Sequence, residues 1–120
     1  MTRPRPNQGL PSAARLRRPE QFKLTLRSPR RKRGVWFTVA ASANSAGRSR
    51  IGVVVPRRVV AKAVQRNRLK RIVRDTFRRI SPPLPALDLV VQVHAVPPPA
   101  RAARHGLREE LIRLLEWSRG

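Results

Sequence analysis

Apolar residues recur along this chain with two different periods. In VWFTVAA (35–41) β-branched and aromatic residues dominate, which predicts a strand. Val35, Phe37 and Val39 would share one face, and Trp36, Thr38 and Ala40 the other. The nearly all-apolar IGVVV (51–55) and LDLVVQV (87–93) predict strands at the centre of a sheet. Pro56 stops the first and keeps Val55 extended. Between these two the period changes. Leu69, Ile72, Val73, Thr76, Phe77 and Ile80 stand at i, i+3, i+4, i+7, i+8 and i+11. That is a stripe of roughly 140° along a helix of about three turns or more. It predicts an amphipathic helix from about Lys62 to Ile80, ended by SPPLPA.

Two more segments read as helices. RPEQFKLTLR has Pro19 suited to the first helical position and Glu20 near the positive end of the dipole. Its Phe22 and Leu26 lie four apart, on one face. LREELIRLLEWSR carries Leu107, Leu111, Leu114 and Leu115 at helical spacing. SPRRKRG and HAVPPPARAARHG read as loops. The order is α-β-β-α-β-α, with a further strand expected within 41–50, which makes it α-β-β-β-α-β-α. This is an α+β arrangement: a small sheet with helices packed on it, and a βαβ crossover over 51–93. Residues 1–14, rich in proline and arginine and lacking a period, read as a flexible basic arm. The remainder has the size of one domain.

Charge narrows the function. There are 28 Lys+Arg against 6 Asp+Glu, for a net charge of +22. Such a field attracts polyanions. Of those cations 24 are arginine, whose planar fork grips phosphate through two bonds and stacks on bases. The apolar stripe needed by the sheet argues against a membrane-surface role, and no apolar run approaches the roughly 20 residues that span a bilayer. Cysteine is absent, which excludes disulfides and thiolate metal sites and fits a cytoplasmic setting.

Catalysis by the chain's own groups is poorly supported. Phosphodiester hydrolysis needs clustered carboxylates for metals or paired histidines. The six acids are scattered, with Asp75 amid arginines, and no motif joins His94 to His105. No glycine-rich phosphate loop or nucleophile elbow occurs. The chain reads as a binder, with no catalytic residue and no metal ligand of its own. Its densest cationic stretch is VQRNRLKRIVRDTFRR (64–79), where Lys70, Arg71, Arg74 and Arg78 flank the apolar stripe and Arg66 lies at its edge. Asn67 is a poor helix former set between arginines, which points to a hydrogen-bonding task. Arg57, Arg58 and Lys62 extend the same field. Phe22 and Trp36 are candidate platforms for stacking single-stranded bases. A ribosomal or other structural RNA-binding protein, or a DNA-binding helix-turn-helix module, remains an alternative on these features.

With those residues in view, the sequence resembles the protein subunit of bacterial ribonuclease P. AVQRNRLKRIVRDTFR (63–78) is similar to that family's arginine–asparagine–arginine signature, and it follows IGVVVPRR as expected. RLRRPEQF and LDLVVQV match weaker flanking motifs. The resemblance implies one domain over 15–118, with a small, mostly antiparallel sheet like the second domain of a small-subunit ribosomal protein. It also implies a left-handed βαβ crossover, where pattern alone favours the right-handed form. It implies a partner, the catalytic RNA subunit, which would hold the catalytic Mg2+, so that the protein alone binds no cofactor. The substrate would be precursor tRNA, and no membrane or small-molecule ligand is expected. By position, Arg66, Asn67, Arg68, Lys70, Arg71 and Arg74 would face the RNA subunit. Phe22, Arg57, Arg58 and Lys62 would meet the 5′ leader. Leu26 stands where relatives carry a second aromatic, and Trp36 is the expected replacement from the cleft side of its strand. His94 stands where a cation is common.

Overall fold

A computed structural model describes residues 14–16, 18–95 and 100–120, with side chains in the last stretch from 106 onward. Apart from Ala14, the expected basic arm lies outside the described residues. Four strands form one sheet in the order β1-β2-β4-β3: β1 (Arg31–Arg33), β2 (Phe37–Ala43), β3 (Arg50–Val54) and β4 (Leu87–Val93). β1–β2 and β2–β4 are antiparallel, and β3–β4 is parallel. The helices are α1 (Pro19–Leu26), α2 (Ala63–Arg79) and α3 (Ala100–Trp117). The element order and the α+β class agree with the expectation.

Three boundaries differ from it. The additional strand is β1, inside the basic loop, and not in 41–50. RKR shows no apolar alternation because all three residues are exposed on a sheet edge; charged side chains there keep the open edge from pairing with another chain. Within 41–50, residues 41–43 complete β2 and residues 44–49 form a turn, where Asn44 Oδ1 accepts from the Ala46 N–H at 3.0 Å and Gly47 takes φ +76°. α3 begins at Ala100, within the expected loop, since alanine and arginine are strong helix formers. The expected proline-rich loop over 96–99 falls outside the described residues.

The third difference is at β2, which starts at Phe37 instead of Val35. Glu110 of α3 is the reason. Its buried carboxylate accepts from the N–H groups of Val35 (2.6 Å), Trp36 (2.8 Å) and Phe37 (3.0 Å). These donors are thereby withdrawn from the ladder, and the chain bends onto α3. The approach is so close that a Cβ at Gly34 would come within 2.5 Å of the carboxylate carbon. Trp36 therefore precedes the strand, and its ring lies against Gly106 of α3, on the helical core.

The two faces of the sheet have different fates. Phe37, Val39 and Ala41 of β2, Ile51 and Val53 of β3, and Leu89, Val91 and Val93 of β4 are buried in one cluster. Leu69, Val73 and Phe77 of α2 and Leu107, Leu111, Leu114 and Leu115 of α3 complete it. The opposite face is covered in part by α1. Gly52 is needed there, because a Cβ would strike the Phe22 ring. Along the outer edge of β3 the segment 14–16 adds a short parallel contact, with Leu16 N–H donating to Ile51 O at 2.9 Å.

Replacing Glu110 with Ala is expected to lower stability by at least about 2 kcal/mol, since three backbone donors lose a charged acceptor. Glu110→Gln, which keeps one acceptor oxygen, should lose less. Chemical denaturation of the free protein measures both.

Candidate nucleic-acid interface

α2 is held at its ends by backbone turns instead of side-chain caps. Lys62 is its extended N-cap residue and makes no side-chain cap bond. The preceding loop turns on Pro56, whose carbonyl accepts from Val59 and Val60 at 3.0 Å each, while Val60 is buried. This leaves Arg57, Arg58 and Lys62 exposed on the loop. Within the helix Leu69, Val73, Thr76 and Phe77 are buried, and Ile72 packs against the same cluster.

The helical period sorts the cations into three groups. Counting about 100° per residue from Leu69, Lys70, Arg74, Asn67 and Arg71 fall at roughly 100°, 140°, 160° and 200°. They form one flank. Asn67 and Arg71 are exposed, and Lys70 and Arg74 are half-buried. Arg68, at roughly 260°, is exposed roughly 60° beyond Arg71. Arg66, at roughly 60°, falls inside the buried arc. Its guanidinium turns back to donate to Val60 O (3.0 Å) and Ala61 O (2.6 Å). Arg66 is thus partly spent on holding the loop. Its i, i+3 relation to Leu69 and i, i+7 relation to Val73 were the available signal for that.

Asp75 gathers the cations at the end of α2. It accepts from Arg78 at 2.8 Å, Arg79 at 3.2 Å and Arg108 of α3 at 3.4 Å, which ties the two helices. Burial raises its pKa, but the Arg78 hydrogen bond and the charges of Arg79, Arg78 and Arg108 more than offset this, and the net shift is downward.

A second basic and aromatic group lies at one end of the sheet. β3 and β4 run parallel to a common end, where β2 begins. Arg57, Arg58 and Lys62 follow β3 there. His94 follows β4, donating its N–H to Trp36 O at 3.0 Å, while its buried Nε2 has no partner among the described residues. Phe22 stands over Gly52, on the face that α2 and α3 do not cover. Beside it run Thr38, Gln92 and Val54, which are neighbours in register across β2, β4 and β3. All three are half-buried, whereas the next row, Ala40, Val90 and Gly52, is buried under α1. The result is a groove with a polar-edged floor and an aromatic wall. Trp36 is not part of that wall, because it packs on α3. Thr38 and Gln92 were not singled out from the sequence; alternation assigns each to a face, but only the register sets them side by side.

Most of the acids are engaged in ion pairs or backbone hydrogen bonds. Asp88 accepts from Arg50 Nε at 2.8 Å, from its Nη2 at 2.9 Å and from Asn44 Nδ2 at 2.8 Å. Glu116 pairs with Arg119 at 2.7 Å. With Asp75 and Glu110, four carboxylates are committed to arginine or backbone donors. Among the described residues no three histidine, cysteine or acidic side chains gather, and no helix is long and apolar enough to cross a membrane.

The family model for ribonuclease P matches residues 10–117. A ribonuclease P protein component from Bordetella parapertussis is 42% identical over 100 residues, covering 79% of this chain and 81% of that protein. The solved RNase P protein from Thermotoga maritima aligns with a TM-score of 0.72 and 32% identity, over 88% of this chain and 98% of the other. That from Staphylococcus aureus reaches a TM-score of 0.75 at 21% identity, over 88% and 94% respectively, a likeness of fold.

Arg66→Gln is expected to lower the stability of the free protein by about 1–2 kcal/mol through the lost loop bonds. Arg68→Gln, being exposed, should stay within about 0.5 kcal/mol of the parent. Thermal or urea unfolding separates the two. For Asp75 the folded pKa lies below the unfolded one. Its stabilising contribution is therefore full above the ordinary carboxylate range and is lost as pH falls through the folded value. The stability advantage of the parent over Asp75→Asn should shrink on acidification below about pH 4, as read from paired unfolding curves at several pH values.

Proposed function

The chain belongs to the ribonuclease P protein family, and from that premise we propose how it serves the enzyme. It binds the catalytic RNA subunit through the free flank of α2 and holds the 5′ leader of precursor tRNA in the groove on the opposite face of the sheet. It thereby promotes removal of the leader in tRNA maturation in the cytoplasm. The observation that carries this reading is the division of α2. Leu69, Val73 and Phe77 pin the helix to the sheet while Asn67, Lys70, Arg71 and Arg74 stand on a separate flank.

Each half follows from elementary chemistry. A cation that neutralises a backbone phosphate releases a condensed counterion, and each such contact adds about 0.9 to the slope of log affinity against log salt. Protein charge then offsets phosphate repulsion where leader, tRNA and catalytic RNA converge. The groove supplies what a single strand needs: Phe22 as a flat apolar surface, Thr38 and Gln92 as hydrogen-bonding side chains, and Arg57, Arg58 and Lys62 at its mouth. A single strand held there would favour precursor over mature tRNA. The chemistry is assigned to the RNA subunit and its magnesium ions. Among the described residues no group of three or more histidine or acidic side chains that could hold a metal ion is found.

Cleavage of a precursor tRNA by the catalytic RNA, with and without the protein, is to be followed across a magnesium titration. The protein should lower the magnesium requirement; an unchanged requirement sinks the proposal. Within the complex, Phe22→Ala should weaken precursor binding about fivefold or more, as for the loss of one stacked base, while leaving mature tRNA binding alone. Trp36→Ala, lying on α3, should affect stability instead.

A further inference from the structure

Arg15 at the edge of β3 and Arg74 of α2 are near enough for each to sense the other's charge, and neither has an ion pair among the described residues. Arg15 is bridged in parallel register to Ile51, which belongs to the face that α2 covers. That pairing sets Arg15 at the edge of β3 on the side of the sheet where α2 packs, and Arg74 of α2 is half-buried. Arg15 Nε is itself buried and meets no acceptor among the described residues. Arg74 likewise has no ion pair there. Burial, and then the charge of Arg15, lower the Arg74 pKa, so the two groups oppose one another in the free protein. The end of the same helix behaves differently: Asp75 collects Arg78, Arg79 and Arg108. Among the described residues no acid does the same for Arg15 and Arg74.

We propose that Arg15 and Arg74 together form a site for one backbone phosphate of the catalytic RNA, at the junction of the β3 edge with α2. The inference rests on the RNA-binding reading above and narrows it, adding Arg15 to the interface. A phosphodiester offers two anionic oxygens, and two guanidinium forks can each take one in charge-assisted bonds. The like-charge repulsion of the free protein is then relieved only in the complex. The catalytic RNA is favoured over the leader because the pair lies on the side of the sheet opposite Phe22.

The test uses the full chain and the catalytic RNA, with affinity measured across salt. Arg15→Gln and Arg74→Gln should each weaken binding about tenfold and lower the salt slope by about 1. The double variant should be little weaker than either single one, because both arms hold the same phosphate. Arg33→Gln removes an equal charge from exposed β1 and should change affinity less than about twofold, since salt screens distant charges. Arg15→Lys, which keeps the charge but lacks the fork, should fall between parent and Arg15→Gln. Thermal unfolding of each variant checks folding, and relief of repulsion should leave Arg15→Gln at least as stable as the parent. Additive losses in the double variant, equal losses at Arg33, or unchanged binding by Arg15→Gln would each overturn the site. Precursor tRNA binding at saturating protein supplies the second arm: a loss there with RNA-subunit affinity intact places the phosphate in the substrate and overturns the assignment. If the parent protein itself fails to bind the catalytic RNA, the failure belongs to the proposed function and the site falls with it.

Discussion

Burial of the α2 seam against one face of the sheet is the contact on which the other features depend. Leu69, Val73 and Phe77 share one buried cluster with Ile51, Val53 and Val91, and α3 adds Leu111 and Leu115 to it. Each such side chain contributes about 1.5–3 kcal/mol on burial, so the seam alone is comparable with the roughly 5–15 kcal/mol that separates most folded domains from their unfolded chains. A chain with a net charge of +22 needs such a contact, because its cations repel one another in the compact state. The seam also sets direction. Once it is buried, the helical period leaves Asn67, Lys70, Arg71 and Arg74 no place but the flank.

The sheet can be shared between two tasks because its faces are unequally covered. α2 and α3 bury the apolar residues of the central strands on one face. α1 is only eight residues long and buries just Thr25 outright, so it covers the Ala40–Val90–Gly52 row and stops short of Thr38–Gln92–Val54. A short helix over a four-stranded sheet leaves a groove simply by being short. The parallel β3–β4 pair delivers Arg57, Arg58 and His94 to one end of that groove, as parallel strands bring their following loops to the same side.

Acids are few, and those engaged act as fasteners at joints. Glu110 ties α3 to the entry of β2, Asp88 ties the 44–50 turn to β4 through Asn44 and Arg50, and Asp75 ties α2 to α3. Arginine also fastens: Arg30 lies over the Trp117 ring at 5.7 Å and donates to Ser118 O at 3.0 Å, and Arg66 closes the loop before α2. Some of the basic residues thus serve the fold, and the interface is drawn from the remainder.

The chain's local patterns determined its helices, three of its four strands and the α+β order, because apolar periodicity and helix-start chemistry act between residues a few positions apart. The 62–80 stripe, Pro19 at the first position of α1 and the apolar runs of β3 and β4 were all legible. So was the cationic character of α2. Tertiary structure alone decided what depends on distant partners. β1 is a strand only because β2 offers it an edge. Trp36 left its strand for α3 because a carboxylate 74 positions away takes its N–H. Arg66 was drawn inward by the carbonyls of Val60 and Ala61. Thr38, Gln92 and Val54 became one row through register, and Arg15 came to the edge of β3 through a bridge to Ile51. Hydrogen bonds and pairings of this kind join residues with no local pattern in common, so no window along the chain contains the information that sets them.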